Sequence, residues 1–460
     1  MENIVRYFAG TVVFMLLGCF PALAYTNLGN NVYQSNGSDS DTQAAVNDVP
    51  EGGTVQIPNG TYTWTGKVTI QNKTVHLLGQ SSTGVTIHNA NTSQEILTIN
   101  KSTTGYVEIG NLYIDSVAAN TNYSSHLVVL SPNGSAGKPV LLHDCTFVSL
   151  NGGVEYAVTW NGNGGVIWNC HFFSGGSDIE GIQFYSDPSD WTYLETLGMD
   201  DTGGTHDTYV EDSDFHNAWT AATNFDDNSR VVVRNCTFDN TCITNHGQET
   251  SPWGVRHFEI YNNNFLYTTT GVTLAIDGLQ IYPLNLNYWC LIRGGTGVIF
   301  NNAFPSILYG KPAVSLAVFS INRLDSIPCQ TSYPAARQVG QGWNGTGYSY
   351  PSVPQDGSGY FTDPLYIWGN TGGATLGSDY VDLDQYTPDE CGNGQIVDKY
   401  LQQGRDYIVG TARPGYTPYT YPHPLRSYAS GPAPTPTPSP TPTPTPARPS
   451  PPQNLRIANQ

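Results

Sequence analysis

The chain has 460 residues, only 12% of them charged, with 49 glycines and 37 acidic against 18 basic side chains, for a formal charge of −19. Such a field repels nucleic acid and other polyanions, so an anionic partner would need local arginines or bridging cations. Low charge with abundant Gly, Asn, Thr and Ser excludes an ordinary helical enzyme and favours a turn-rich, all-β chain. Arg6, the apolar run from Phe8 to Phe20 and the small-residue end Ala22-x-Ala24 read as an export signal over residues 1–24, too short to span a membrane. A rival reading takes Leu16-Leu17-Gly18-Cys19 as the site of a lipid anchor on Cys19, which would give a surface-anchored bacterial lipoprotein instead of a freely secreted chain. No second long apolar segment follows, so no transmembrane segment is expected.

After the leader, Ser40-Asp41-Thr42-Gln43-Ala44-Ala45-Val46 reads as a short amphipathic helix with a capping residue, followed by Gly52-Gly53-Thr54-Val55-Gln56-Ile57-Pro58. Next comes a repeat: an aliphatic residue, any residue, Asn or Asp, then Cys, Ser or Asn, any residue, then Phe. Its copies are Leu142-x-Asp144-Cys145-x-Phe147, Ile167-x-Asn169-Cys170-x-Phe172, Val210-x-Asp212-Ser213-x-Phe215, Val233-x-Asn235-Cys236-x-Phe238, Ile260-x-Asn262-Asn263-x-Phe265 and Ile299-x-Asn301-Asn302-x-Phe304, with a weaker one at Ile109-x-Asn111-Leu112-x-Ile114. Self-similarity at a shortest period of roughly 23 residues marks a solenoid.

The spacing also specifies the bend. Residues two apart on a strand share a face, so the Cys/Ser/Asn and Phe positions point the same way, whereas the aliphatic residue lies three before the former. The phase slips at Asn or Asp, the non-glycine residues that best tolerate a left-handed backbone. Each copy is therefore a strand, a one-residue corner and a second strand. Stacking predicts interior ladders: one aliphatic, one of Phe, and one in which Cys145, Cys170 and Cys236 are buried small residues and Asn263 and Asn302 bond along the stack. Neighbouring ladder thiols have a poor torsion for a disulfide. Cys329 and Cys391 lie outside the repeat and are open to pairing in an oxidising compartment.

The helix, the Gly-Gly-x-Val-x-Ile-Pro segment and the repeat together resemble the pectin-lyase-like superfamily of secreted proteins over roughly residues 25 to 310. That resemblance implies a right-handed parallel β-helix with an N-terminal capping helix that covers the open first coil. The expected organisation is a signal over 1–24, the β-helix over 25–310, terminal coils and a loop-rich C-terminal cap over 311–430, and a Pro/Thr-rich linker and tail over 431–460. The linker is an extended, semi-rigid spacer. Its end, Pro452-Gln453-Asn454-Leu455-Arg456-Ile457, looks like the first strand of a fibronectin type III module.

Ionisable residues are densest between Thr205 and Arg293, which makes this stretch the first place to look for chemistry. Asn224-Phe225-Asp226-Asp227, Asn245-His246-Gly247 and Leu291-Ile292-Arg293 are similar in type and order to motifs of polygalacturonase-type glycoside hydrolases. The resemblance implies an inverting mechanism with Asp226 as acid, Asp227 and Asp207 as bases, His246 in support and Arg293 holding a substrate carboxylate. The pattern departs in three places: His246 follows Asn, Arg293 lacks the lysine motif, and Asp207 lies at a different distance from its corner than Asp227. Asp226-Asp227-Asn228-Ser229 also reads as a plain solvated turn.

A lyase is the other enzymatic reading, with His246, Arg256 and Arg293 around a uronate and Ca²⁺ held by the acidic insertion at 186–207, whose alternative is solubilising charge. A hydrolase would require no cofactor. Trp191 and Trp253 (with Trp219) would stack on sugar rings or pack loops. His206, His216 and His257 read as surface or packing residues. The chain is thus expected to be a monomeric, exported polysaccharide-degrading enzyme that binds no nucleic acid. Its rival is a non-catalytic, glycan-binding or structural β-helix tethered by its tail. An export signal disfavours a viral receptor binder.

Overall fold

The computed structural model describes residues 25–116, 126–130, 137–149, 156–174, 180–186, 204–218, 221–247, 254–268, 272–273, 280–281, 288–305, 307–308, 311–312, 314–318, 338–343, 359–373, 381–382 and 401–429. The leader at 1–24, the Pro/Thr tail, Cys329, Cys391, Trp191, Trp219 and Trp253 lie outside them.

Among the described residues the chain winds as a right-handed parallel β-helix with three long sheets, one of thirteen strands and two of ten. Each coil contributes a strand to sheet I, turns a one-residue corner into sheet II, and passes through a longer connection into sheet III. One coil runs Arg230–Arg234, Thr237–Asp239 and Ile243–Asn245. The pairing between coils is parallel and in register, as in Val210↔Val233 and Phe215↔Phe238.

Every corner of the repeat sits in the left-handed region: Asn111, Asp144, Asn169, Asp212, Asn235, Asn262 and Asn301 have φ between 48° and 62°. A left-handed residue turns the strand by slipping its side-chain phase, which the hexapeptide spacing requires. An eighth copy, Ile367-x-Gly369-Asn370, escapes the sequence pattern because Gly369 (φ 67°) takes the corner and Gly372 the Phe position.

Inside, the six phenylalanines form one column. Ring centroids are 5.1 Å apart for Phe147–Phe172, then 4.7, 5.1, 4.9 and 4.7 Å through Phe215, Phe238, Phe265 and Phe304. Beside them Cys145, Cys170 and Cys236 are buried free thiols, as are Cys242 and Cys290. Where the ladder turns to amides, Asn263 Nδ2 donates to Asn302 Oδ1 and Asn302 Nδ2 to Asn370 Oδ1, both at 3.0 Å. The same oxygens accept the backbone N–H of the preceding ladder residue, so each buried amide is satisfied along the stack.

The N-terminal end is closed by the helix Asp39–Asp48, capped by Ser38, whose hydroxyl accepts from Asp41 N. Ala45 and Val46 enter the core. Gln43 accepts from Thr69 N at 2.6 Å and donates to Thr69 O at 3.1 Å, which satisfies the edge strand Val68–Ile70.

The C-terminal segment does more than cover the last coil. After Tyr407–Val409, the last strand of sheet I, it turns back along that sheet's outer face. Tyr416 meets Glu259 (2.6 Å), Arg234 holds the carbonyls of Tyr419 and Thr420, Tyr421 meets Asp212 (2.6 Å), Arg426 lies over Trp168, and the Tyr428 ring packs tilted against Tyr106. This strap buries a second apolar cluster that includes Trp168, Tyr209, Val232, Tyr261 and Leu425.

Candidate functional site

With the middle strands of sheet I covered by the strap, the ionisable groups of the other outer faces are the candidates for chemistry. On sheet III, Phe184 pairs with Phe225, Phe225 with Asn245, and Thr244 with Leu291. The next residue of each strand therefore falls in line: Tyr185, Asp226, His246 and Arg293 form one column on successive coils, about 4.8 Å apart per step. Three motifs separated widely in sequence are brought together by register alone. His246 N donates to Phe225 O at 2.8 Å, and Arg293 is seated by Nε donating to Asn245 O and its own N–H to Asn245 Oδ1, both at 2.6 Å.

Asp226 is nearly buried, and its Oδ1 accepts from Asp227 N at 2.8 Å while Ser229 N reaches Asp226 O at 2.9 Å. The segment is thus a side-chain-capped turn at the end of the column, but a buried one and not the solvated turn that one reading of the sequence expects, with Asn228 and Ser229 also buried. Gln183 Nε2 lies 3.4 Å from Asp226 Oδ2. Asp227 is half-buried. Burial, and then the negative charge of Asp226, push the Tyr185 phenol far up, so it stays neutral.

Sequence reasoning passed over Glu180 and, as a site residue, Asn224. Asn224 Nδ2 lies 3.1 Å from both oxygens of Glu180 and 3.1 Å from His246 Nε2. Glu180 is 5% exposed. The insertion at 186–207 hid it, because Glu180 and Asn224 are neighbours only once that insertion is removed and Gln183 is laid on Asn224.

Two of the expected site residues lie off this column. Asp207 does not join the column: it precedes the sheet I strand Thr208–Glu211, is fully buried, and is paired with Arg230 Nε at 3.0 Å. Its place beyond the corner, flagged by its different distance from Asp212, puts it among structural charges. Arg256 is also fully buried, beyond the same corner, with its N–H on Ser229 O at 3.0 Å. Trp191 and Trp253 lie outside the described residues, as does most of the acidic insertion. Among the described residues no group of three or more His, Cys, Asp or Glu is arranged to hold a metal ion.

The other histidines are tied elsewhere. On sheet I, Glu108 lies between His76 (2.6 Å) and His143 (2.9 Å). On sheet II, His171 meets Asp214 at 2.7 Å, and His216 lies between Asp214 and Asp239. His257 is fully buried, and the cost of charging it there lowers it to about 3.

No protein-family model and no curated protein match the sequence. Solved structures that match include an alginate lyase from Paenibacillus sp. str. FPU-7, with 14% identity over 66% of this chain and 96% of that one, TM-score 0.30. A second is the Geobacillus virus E2 ORF18 protein, with 15% identity over 63% of this chain and 57% of that one, TM-score 0.34. A third is a pectin methylesterase in complex with a hexasaccharide, with 13% identity over 81% and 99%, TM-score 0.32. At these values the likenesses carry no argument about chemistry. The winding that the pectin-lyase-like resemblance implies stands on the strand register itself.

Proposed function

We propose that the chain is an exported enzyme that cleaves an acidic polysaccharide on the outer face of sheet III. The observation that carries this reading is the in-register column Asp226, His246, Arg293, with Glu180 bridged to it by Asn224. A linear glycan laid along the helix axis would meet these groups in sequence. Arg293, seated by Asn245, presents a guanidinium to a uronate carboxylate, which offsets the repulsion of a chain with formal charge −19.

Glycosidic hydrolysis needs one carboxylic acid to protonate the leaving oxygen and one carboxylate to activate water. Asp226 takes the first role. Asp227 and Glu180 take the second, Glu180 in place of the buried Asp207. No cofactor is required for this chemistry. A second reading, β-elimination, is favoured by one feature: His246 stands one coil from Arg293, so an imidazole adjoins a carboxylate-neutralising cation. Calcium in that reaction would be held by the acidic insertion.

Export through the leader, with Cys19 as the rival lipid site, belongs to the same proposal. Among the described residues no helix is long and apolar enough to cross a membrane.

The test is reducing-end release from a panel of uronate-containing and neutral polysaccharides, with ultraviolet absorbance separating unsaturated lyase products from hydrolysis products. Activity lost in Asp227→Ala supports the reading. Undiminished activity in Asp226→Ala, Asp227→Ala and His246→Ala overturns the site. Glycan binding with no product in any arm favours the non-catalytic alternative.

A further inference from the structure

We infer that Asn224 is a positioning residue that locks His246 as the neutral tautomer with its proton on Nδ1. The inference deepens the proposed site and rests on that reading, since it assigns the state in which His246 works.

Asn224 lies on the strand Ala221–Phe225, and its Nδ2 is 3.1 Å from Glu180 Oε1, Glu180 Oε2 and His246 Nε2. A carboxylate only accepts, so the amide atom facing Glu180 has to be the nitrogen. An amide nitrogen carries two hydrogens. One is shared by the two carboxylate oxygens, and the other points at His246 Nε2. That nitrogen must then offer a lone pair, which leaves the ring proton on Nδ1. Protonation at Nε2 would set two donors against each other at hydrogen-bond distance.

The arrangement is enclosed: Asn224 is 4% and Glu180 5% exposed, so water competes weakly for these bonds. Among the described residues, Asp226 from the preceding coil and Arg293 from the following one stand in register with His246, and Glu180 reaches it through the amide. The carboxylates favour the imidazolium and Arg293 opposes it. Asn224 is the neutral group set among them that contacts Nε2 directly, and it selects the neutral ring.

The role differs from packing. A residue that merely fills space would leave the ring's proton where bulk water puts it. Asn224 fixes Nδ1 as the proton-bearing nitrogen and keeps the ring from becoming a like-charged neighbour of Arg293.

The test uses the full chain labelled with ¹⁵N-histidine, the His246 signals being assigned by their loss in His246→Gln. In the wild type at neutral pH, Nε2 is expected at the unprotonated shift and Nδ1 at the protonated one. Asn224→Leu, close in volume but without a donor, should raise the His246 titration midpoint by about one unit. The acid limb of any kcat/KM profile should move by the same amount. A protonated Nε2 in the neutral wild-type ring overturns the lock without recourse to any variant. An unchanged midpoint in a cooperatively folded Asn224→Leu protein overturns it equally. Expected tautomer and shift with no polysaccharide cleaved leave the lock standing and refute the enzymatic reading, so the two failures are distinguishable.

Discussion

The outer faces of sheets I and III are built by the same coils and spend their ionisable side chains in opposite ways. On sheet I, Asp207, Glu211, Arg230, Arg234 and Glu259 are all buried, and Glu211, Arg234 and Glu259 bond to the C-terminal strap. Glu211 alone serves Arg234, Arg426 (3.0 Å) and the N–H of His423 (3.2 Å). On sheet III the polar side chains meet one another at the strand ends instead, as Glu180, Asn224 and His246 do. The same residue types act as a staple on one face and as a candidate site on the other, and among the described residues it is the strap that ties the sheet I groups together.

The comparison breaks most sharply by mutating one face and reading the other. Asp227→Ala should lower kcat/KM on the cleaved polysaccharide on the order of 10²–10⁴-fold, with the thermal midpoint nearly unmoved because Asp227 is a half-buried turn residue. Glu211→Ala should do the reverse. It strands Arg234 and Arg426 at a covered face, costing about 3–5 kcal/mol in denaturant unfolding, while kcat/KM of the still-folded protein stays at the wild-type value. A large loss of activity in Glu211→Ala would mean that the two faces are not independent.

The corner residues, which set where sheet I hands over to sheet II, give a smaller effect. Asn235 has φ 57°. Asn235→Ala should cost about 1–2 kcal/mol because a Cβ without a local hydrogen bond pays the left-handed penalty. Asn235→Gly should cost less than Asn235→Ala, since glycine accepts that backbone at no steric cost. Equal losses in the two variants would show that Asn235 acts through its amide and not through its backbone.

The interior was legible in the sequence because its rule is local. The repeat encodes a strand, a corner and a strand within one short motif, so Phe215 and its corner residue Asp212 announce their places without knowledge of any partner. The exception is instructive: Gly369 and Gly372 fill the corner and Phe positions with no side chain, and the copy disappeared from the pattern. The site was legible only in part. Asp226, His246 and Arg293 follow strand ends directly and so align by register. Asp207 and Arg256 are drawn from the same ionisable stretch but fall beyond the corner, on the side that belongs to sheet I. Density of charge along the chain adds the two faces together, and nothing local in sequence reveals that a strap from residues 410–429 returns over several coils to bury one of them. Glu180 was missed for the converse reason, since a long insertion separates it from Asn224.

Sheet II supplies the third face and the mildest prediction. There Phe173 stacks on His216 (4.8 Å), and His216 lies 3.7 Å from Asp214 and 3.5 Å from Asp239. Burial disfavours the charged imidazole, but the neighbouring Asp214 and Asp239 carboxylates outweigh it and raise His216 from 6.5 to about 9. Burial likewise opposes the Asp214 charge, and His171 and His216 overcome it, lowering Asp214 from 3.8 to about 2. A raised histidine gives stability that is fully present below 6.5 and is lost as pH rises toward 9; a lowered aspartate gives stability present above 3.8 and lost as pH falls toward 2. The cluster should therefore stabilise most between those two ordinary values. Side-chain exposures of 18% for His216 and 31% for Asp214 let solvent screen the pairs, which limits the effect to about 1 kcal/mol. His216→Gln should melt below the wild type in that window, and the gap should close as pH rises through about 9. A gap that stays constant across the range would show that His216 contributes by stacking on Phe173, and that sheet II, unlike its two neighbours, uses its charges for neither staple nor site.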